Sequence, residues 1–156
     1  MTNWVNDDGL TVQFGSQEQE KQAYSLATTK RLAVTLTGED IPSSVATPGP
    51  YDAFIPAGSY ILSAHLIVTE AFTSGGSATL TIGTYEGDAT AIDADGIDAA
   101  IAVTAIDAVG DVVVNDGAQV GGVTTVGSDN AYIQAIYGTA AFTAGEATLV
   151  IEYIEP

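Results

Sequence analysis

Apolar and polar residues alternate with a period of two through most of this chain, which restricts it to strands that bury one face and wet the other. Between Tyr60 and Thr69, Leu62, Ala64, Leu66 and Val68 make one face, with Ser63, His65 and Thr69 on the other. The same alternation runs through Leu10, Val12 and Phe14, through Leu32, Val34 and Leu36, and through Leu80 and Ile82. It returns at Ile133, Ala135 and Tyr137 and again at Leu149, Ile151 and Tyr153. These segments are rich in Thr, Val, Ile and Tyr, which suit a pleated, half-buried surface.

A short internal echo accompanies the alternation. AFTSGGSATL (Ala71 to Leu80) and AFTAGEATL (Ala141 to Leu149) each join one alternating run to another through a glycine-containing connection. Both are expected to be β-hairpins, because glycine supplies the positive φ that tight reversals need. One segment changes period: in DADGIDAAIAVTAIDA (Asp93 to Ala108), Asp95 stands as an N-cap, and Ile97, Ile101 and Ala105 recur every four residues. That spacing predicts one short helix over about 95–106. Ile41 to Pro50, with Pro42, Pro48 and Pro50, and Asn115 to Asn130, with Gly117, Gly121, Gly122 and Gly127, are expected loops.

Many short strands, one inserted helix and no strand–helix–strand rhythm predict an all-β protein. The expected architecture is an antiparallel two-sheet β-sandwich of jelly-roll type. Residues 1–31 are expected to form a polar N-terminal arm with a first strand, and 32–156 the jelly-roll domain. A chain of 156 residues buries roughly two thirds of its unfolded surface and needs no staple. With no cysteine, it has no disulfide framework, thiolate metal site or thiol nucleophile.

Charge narrows the partners. The formal net charge is −17, and Lys21, Lys30 and Arg31 are the sole cations, while acids continue to Glu155. Such a surface repels phosphates, so neither nucleic acid nor an anionic membrane is an expected partner. No apolar run approaches the roughly 18 residues of a membrane span. The opening MTNWVNDDGL carries acids where a signal peptide has a basic region, so neither export nor anchoring is expected.

Asp93, Asp95 and Asp98 suggest a calcium loop, but an EF-hand starting at Asp93 needs glycine sixth and glutamate twelfth, where Asp98 and Thr104 stand. A capped helix start accounts for the three acids instead. His65 is the sole imidazole, so any Ser–His–Asp arrangement must use it. It falls in mid-strand, where solvent or a subunit contact suits it better than catalysis, and no G-x-S-x-G motif is present. Trp4, Tyr24, Tyr51, Tyr60, Tyr132 and Tyr137 would have to cluster to make a sugar-stacking platform, yet they are scattered among different elements. Trp4, in a short polar segment, is a candidate anchor on a neighbouring subunit. No catalytic, cofactor-binding or metal residue is assigned, no cofactor is expected, and the protein is not expected to be an enzyme.

Four segments carry a family likeness: IPAGSYI (Ile55 to Ile61), VTEAFTSGGSATLTIG (Val68 to Gly83), AIDADGIDAAI (Ala91 to Ile101) and YGTAAFTAGEATLVIEY (Tyr137 to Tyr153). Together they resemble a group of small jelly-roll-type structural proteins of tailed bacteriophages and related viruses, from about Ile55 onward. Members often carry more lysine than this chain. The resemblance implies a virion component, a decoration or cement protein on the capsid surface, with the major capsid protein as partner. It transfers no functional residue, because its motifs are turns and an element start. A part of that kind would act as a homo-oligomer, a trimer in first place, bridging capsomers through many weak contacts. The alternatives are a tail- or host-attachment virion protein and a carbohydrate-binding β-sandwich module. A hydrolase is the least favoured.

Overall fold

The computed structural model describes residues 2–5, 11–14 and 29–155. Ten strands follow in order: β1 (Thr2–Val5), β2 (Thr11–Phe14), β3 (Thr29–Thr37), β4 (Phe54–Ile55), β5 (Tyr60–Ser74), β6 (Thr79–Tyr85), β7 (Ala91–Ala102), β8 (Val112–Val114), β9 (Ala131–Gly138) and β10 (Phe142–Ile154). Strands β1 and β2 pair with each other. The other eight form two antiparallel sheets, sheet I in the order β3-β10-β5-β8 and sheet II in the order β4-β9-β6-β7. This order nests the chain on itself. The first of the eight lies beside the last, the second beside the seventh, the third beside the sixth and the fourth beside the fifth, which is a jelly roll.

Alternation on both sheets builds the core. Leu66, Leu80, Ile82, Leu149 and Ile151 are fully buried, with Ile55, Ile61, Phe72, Ile97 and Ile106 around them. Each such side chain contributes about 1.5–3 kcal/mol when withdrawn from water. Leu32, Val34 and Leu36 of β3 pack against this cluster as partly buried residues, as an outer strand requires. The proline-containing segment from Ile41 is tied to β9 by Gln134, whose amide accepts from the Ala46 N–H (3.1 Å) and donates to the Ala46 carbonyl (2.8 Å).

The expected hairpins are corrected. β5 belongs to sheet I and β6 to sheet II, so the glycine-rich connection after Ser74 crosses between sheets; the connection from β9 to β10 crosses back. The AFTAGEATL segment lies almost wholly inside β10. A glycine connection between two alternating runs has the same residue pattern whether it reverses within a sheet or arches over the core. What the echo encodes is contact between its own copies. Phe142 pairs with Ser74 and Ala144 with Thr73, the Phe72 and Phe142 rings meet edge to face at 5.3 Å, and the Thr73 and Thr143 hydroxyls lie 2.9 Å apart.

The expected helix over 95–106 is also corrected: β7 runs through Ala102, followed by one 3-10 turn at Val103–Ala105. A four-residue interval between Ile97 and Ile101 fits two pleats of a strand as well as one turn of a helix. Pairing with β6 decides between them. The ladder is irregular, from Thr79↔Ala102 through Ile82↔Asp98 to Tyr85↔Ala91, and the bulges absorb residues that are poor strand formers. Ala100 takes φ 55 at one of them and donates its N–H to Thr81 Oγ1 (3.2 Å).

A third correction concerns Leu62, expected inside with Ala64. Glu152 pairs with Ser63 and Tyr153 with Ile61, so Leu62 is an extra residue in the ladder. Ile61 is buried in its stead and Leu62 is 38% exposed. A one-residue bulge exchanges the faces of everything beyond it.

Gly145 permits the close approach of the two echo segments. Its φ is 124°, and a Cβ there would fall 2.5 Å from Phe72 Cγ. Gly145→Ala therefore adds overpacking to an unfavourable φ and should cost about 2–4 kcal/mol. Guanidinium unfolding checks this, and an unchanged midpoint would contradict the packing described.

Candidate functional site

Three places on the sandwich bring functional groups together. The first is the outer face of sheet I. Its register sets Val150, His65 and Val114 in one row across β10, β5 and β8, and Thr148, Ile67 and Val112 in the next. Val112 is 55% exposed, Val114 67% and Ile67 36%, so the row ends form an apolar stripe at the sheet margin. His65 is half-buried between valines. Ser63, on the same strand, donates its hydroxyl to Glu152 Oε2 at 3.4 Å and not to the imidazole. This row holds no nucleophile–base pair. At the far margin Lys30 of β3 forms an ion pair with Glu155 at 2.5 Å, a surface contact worth about 0–1 kcal/mol.

The second place is a buried polar junction between β6, β7 and the segment after β8. Asn115 Nδ2 donates to Asp98 Oδ2 at 2.8 Å, and Thr84 Oγ1 donates to Gln119 Oε1 at 2.7 Å; all four residues are buried. Backbone bonds from Gly117 N–H to Ile97 O (2.8 Å) and from Gln119 N–H to Gly96 O (3.0 Å) lock the same segments. A Cβ on Gly117 would lie 2.4 Å from Gly96 O, so the approach requires glycine. Asn115 Oδ1 takes no partner among the described residues. The junction is a latch that fixes the end of β8.

The third place is a surface hollow of about 260 Å³ lined by Glu86, Gly87, Asp88, Asp129, Asn130 and Tyr132. Phe54 covers one side of Tyr132, ring centroids 5.6 Å apart. Asp88 accepts the Thr90 N–H at 2.9 Å, which holds its carboxyl below the usual range and keeps it charged. Of the expected sugar platform, Tyr132 is here, Tyr51 stands 98% exposed on the loop before β4, Tyr60 opens β5 in the other sheet, and Tyr137 packs on the core. The fold does not assemble them into one surface. The side chains of Trp4 and Tyr24 lie outside the described residues, as does most of the expected arm.

Asp93, Asp95 and Asp98 are separated by the fold in an instructive way. Asp98 faces inward to Asn115, while Asp93 Oδ1 accepts the Asp95 N–H at 3.4 Å. Burial, then the contact with the Asp95 carboxyl, pushes the Asp93 carboxyl up from its ordinary value. Burial and these two acids also raise the Tyr85 phenol, which donates to Ala94 O at 3.3 Å. Among the described residues, no three His, Cys, Asp or Glu side chains converge as ligands of one metal ion. β8 is a strand beyond those expected from the alternation. The run Val112, Val113, Val114 between Asp111 and Asn115 carried the signal, three β-branched residues bounded by turn formers.

Because the folded protein holds the Asp93 proton to higher pH than the unfolded chain does, stability falls as pH rises from about 4 through the raised value of Asp93. Asp93→Asn keeps the Oδ1 acceptor and removes the charge. It should stabilise the protein at pH 7 and flatten that part of the pH–stability curve. Superimposable curves for the two proteins would refute the assignment.

No family model matches the sequence, and no curated protein sequence matches it. Solved structures do match in shape. A chain from the capsid of Ralstonia phage GP4 aligns over 83% of this chain and 84% of its own, with a TM-score of 0.50 and 18% identity. A chain from the acidic stable capsid structure of Helicobacter pylori bacteriophage KHP30 aligns over 83% of this chain and 94% of its own, with a TM-score of 0.49 and 14% identity. What this protein has in common with the GP4 capsid chain is the two-sheet fold.

Proposed function

We propose that this chain is a bacteriophage virion structural protein, a decoration or cement protein on the outer capsid surface whose partner is the major capsid protein. The observation that carries the reading is the jelly roll that it has in common with a chain of the GP4 capsid along 83% of its length. The family resemblance of the four segments from Ile55 onward supports the same conclusion.

The physical task is adhesion. Two sheets closed over one core give a rigid block whose outer faces stay fixed while force is applied. A ring of three such blocks engages several capsomers at once, and linked weak contacts then add up by effective concentration. Cyclic symmetry gives each copy the same contacts. Nothing in this role asks the chain for bond chemistry; the half-buried His65 serves as part of the contact face. With a charge of −17, particles coated by the chain repel one another while basic or apolar shell surfaces remain acceptable partners.

Light scattering on the purified protein should give three times the chain mass of 15.9 kDa. Added to capsids that lack it, the protein should co-sediment to a saturable copy number and raise the temperature at which the shells open. Failure to bind such capsids would overturn the decoration role.

A further inference from the structure

Strand β8 closes sheet I on one side, and its outer margin is open. Asn115 N–H donates to Ala64 O (3.0 Å) and Val68 N–H to Asp111 O (2.9 Å), which fixes the alternation of the ladder. Val113 therefore turns its backbone groups to Leu66, whereas Val112 and Val114, opposite Ile67 and His65, direct theirs away from β5. No other described strand pairs with β8. The same two valines expose most of their side chains beside Ile67. Backbone donors and acceptors without a ladder, next to β-branched side chains on one face, form a template for another strand.

Charge decides which strand. Asp111 precedes Val112 and Asp116 follows the buried Asn115, so carboxylates bracket the template. An antiparallel second copy of β8, centred on Val113, would set Asp111 and Asp116 of the two copies within a residue of each other. Like charges at that spacing oppose self-pairing. No Lys or Arg of this chain lies beyond residue 31 to offset them. The latch that seats Asn115 against Asp98 keeps this edge in a fixed place without an occupant.

We propose that the free edge of β8 is a strand-addition site for an extended segment of a partner protein. That segment is β-branched or apolar where it faces Val112, Val114 and Ile67, and carries Lys or Arg beside Asp111 and Asp116. Only the identity of the donor, a capsid subunit, rests on the virion reading.

The test uses the whole chain and the capped peptide Lys-Val-Thr-Val-Thr-Val-Lys, with a Glu-flanked version as control. Amide exchange followed by NMR should find Val112 and Val114 unprotected in the free protein and roughly tenfold or more protected with the Lys peptide. The Glu peptide should bind roughly tenfold more weakly or less. Val114→Pro removes an edge donor and spares the Val113 ladder bond, so it should abolish binding. Should that variant fail to fold, Asp116→Asn, at an exposed position, must still weaken the Lys peptide and narrow its advantage over the Glu peptide. Three outcomes would overturn the proposal: no protection by the Lys peptide, equal binding of both peptides, or concentration-dependent protection of Val112 and Val114 without peptide, which would assign the edge to a second copy. Capsid binding that fails while the peptide still binds counts against the virion reading and leaves the edge site standing.

Discussion

The antiparallel ladder that places β10 between β3 and β5 is the interaction on which the rest of the molecule depends. β10 bonds the first strand of the sandwich through Glu146 to Ile154 on one side and the third strand between Phe142 and Ile154 on the other, so it closes the sheet begun at Thr29. Loop-closure entropy opposes contacts so distant in sequence, and burial of the neighbouring pairs Leu149 with Leu66 and Ile151 with Ala64 offsets it. Once β10 is seated, β8 has only the far side of β5 to join. That leaves β8 at the margin, with Val112 and Val114 facing outward.

Several features were legible in the residues because they follow from a single period. Leu66, Leu80, Ile82, Leu149 and Ile151 announce inward faces, and the absence of any strand–helix–strand rhythm announces two antiparallel sheets. What was not legible depends on partners distant in sequence. Ile97 and Ile101 stand four apart, an interval both periods accept, and pairing with β6 chose the strand. Leu62 lost its inward place to Ile61 through a bulge set by Glu152 and Tyr153, which no local pattern encodes. The glycines after Ser74 mark a reversal and are silent about whether it stays in one sheet. The AFT echo was visible as repetition, but its meaning, one copy packed on the other, required the closed topology.

The candidate surface was hidden for the same reason. Exposed valines in a short run look like any other strand fragment until the sheet order places them at an edge. The aromatic residues show the opposite case: their scatter along the sequence corresponds to scatter in space, with Tyr60 and Tyr132 on different sheets and Tyr137 against the core. Acids are numerous enough that proximity alone means little. The two that matter are set apart by environment, Asp98 by burial against Asn115 and Asp93 by burial together with its contact to Asp95.

Topology is therefore the claim to test, since the edge, the latch and the contact face all derive from it. Cross-strand nuclear Overhauser contacts provide the direct measurement. The closed jelly roll predicts backbone contacts from the β10 residues Leu149 and Ile151 to both β3 and β5, together with ring contacts between Phe72 and Phe142. Contacts linking Phe72 to Leu80, and Phe142 to Leu149, across two local hairpins, with none between β10 and β3, would contradict the account.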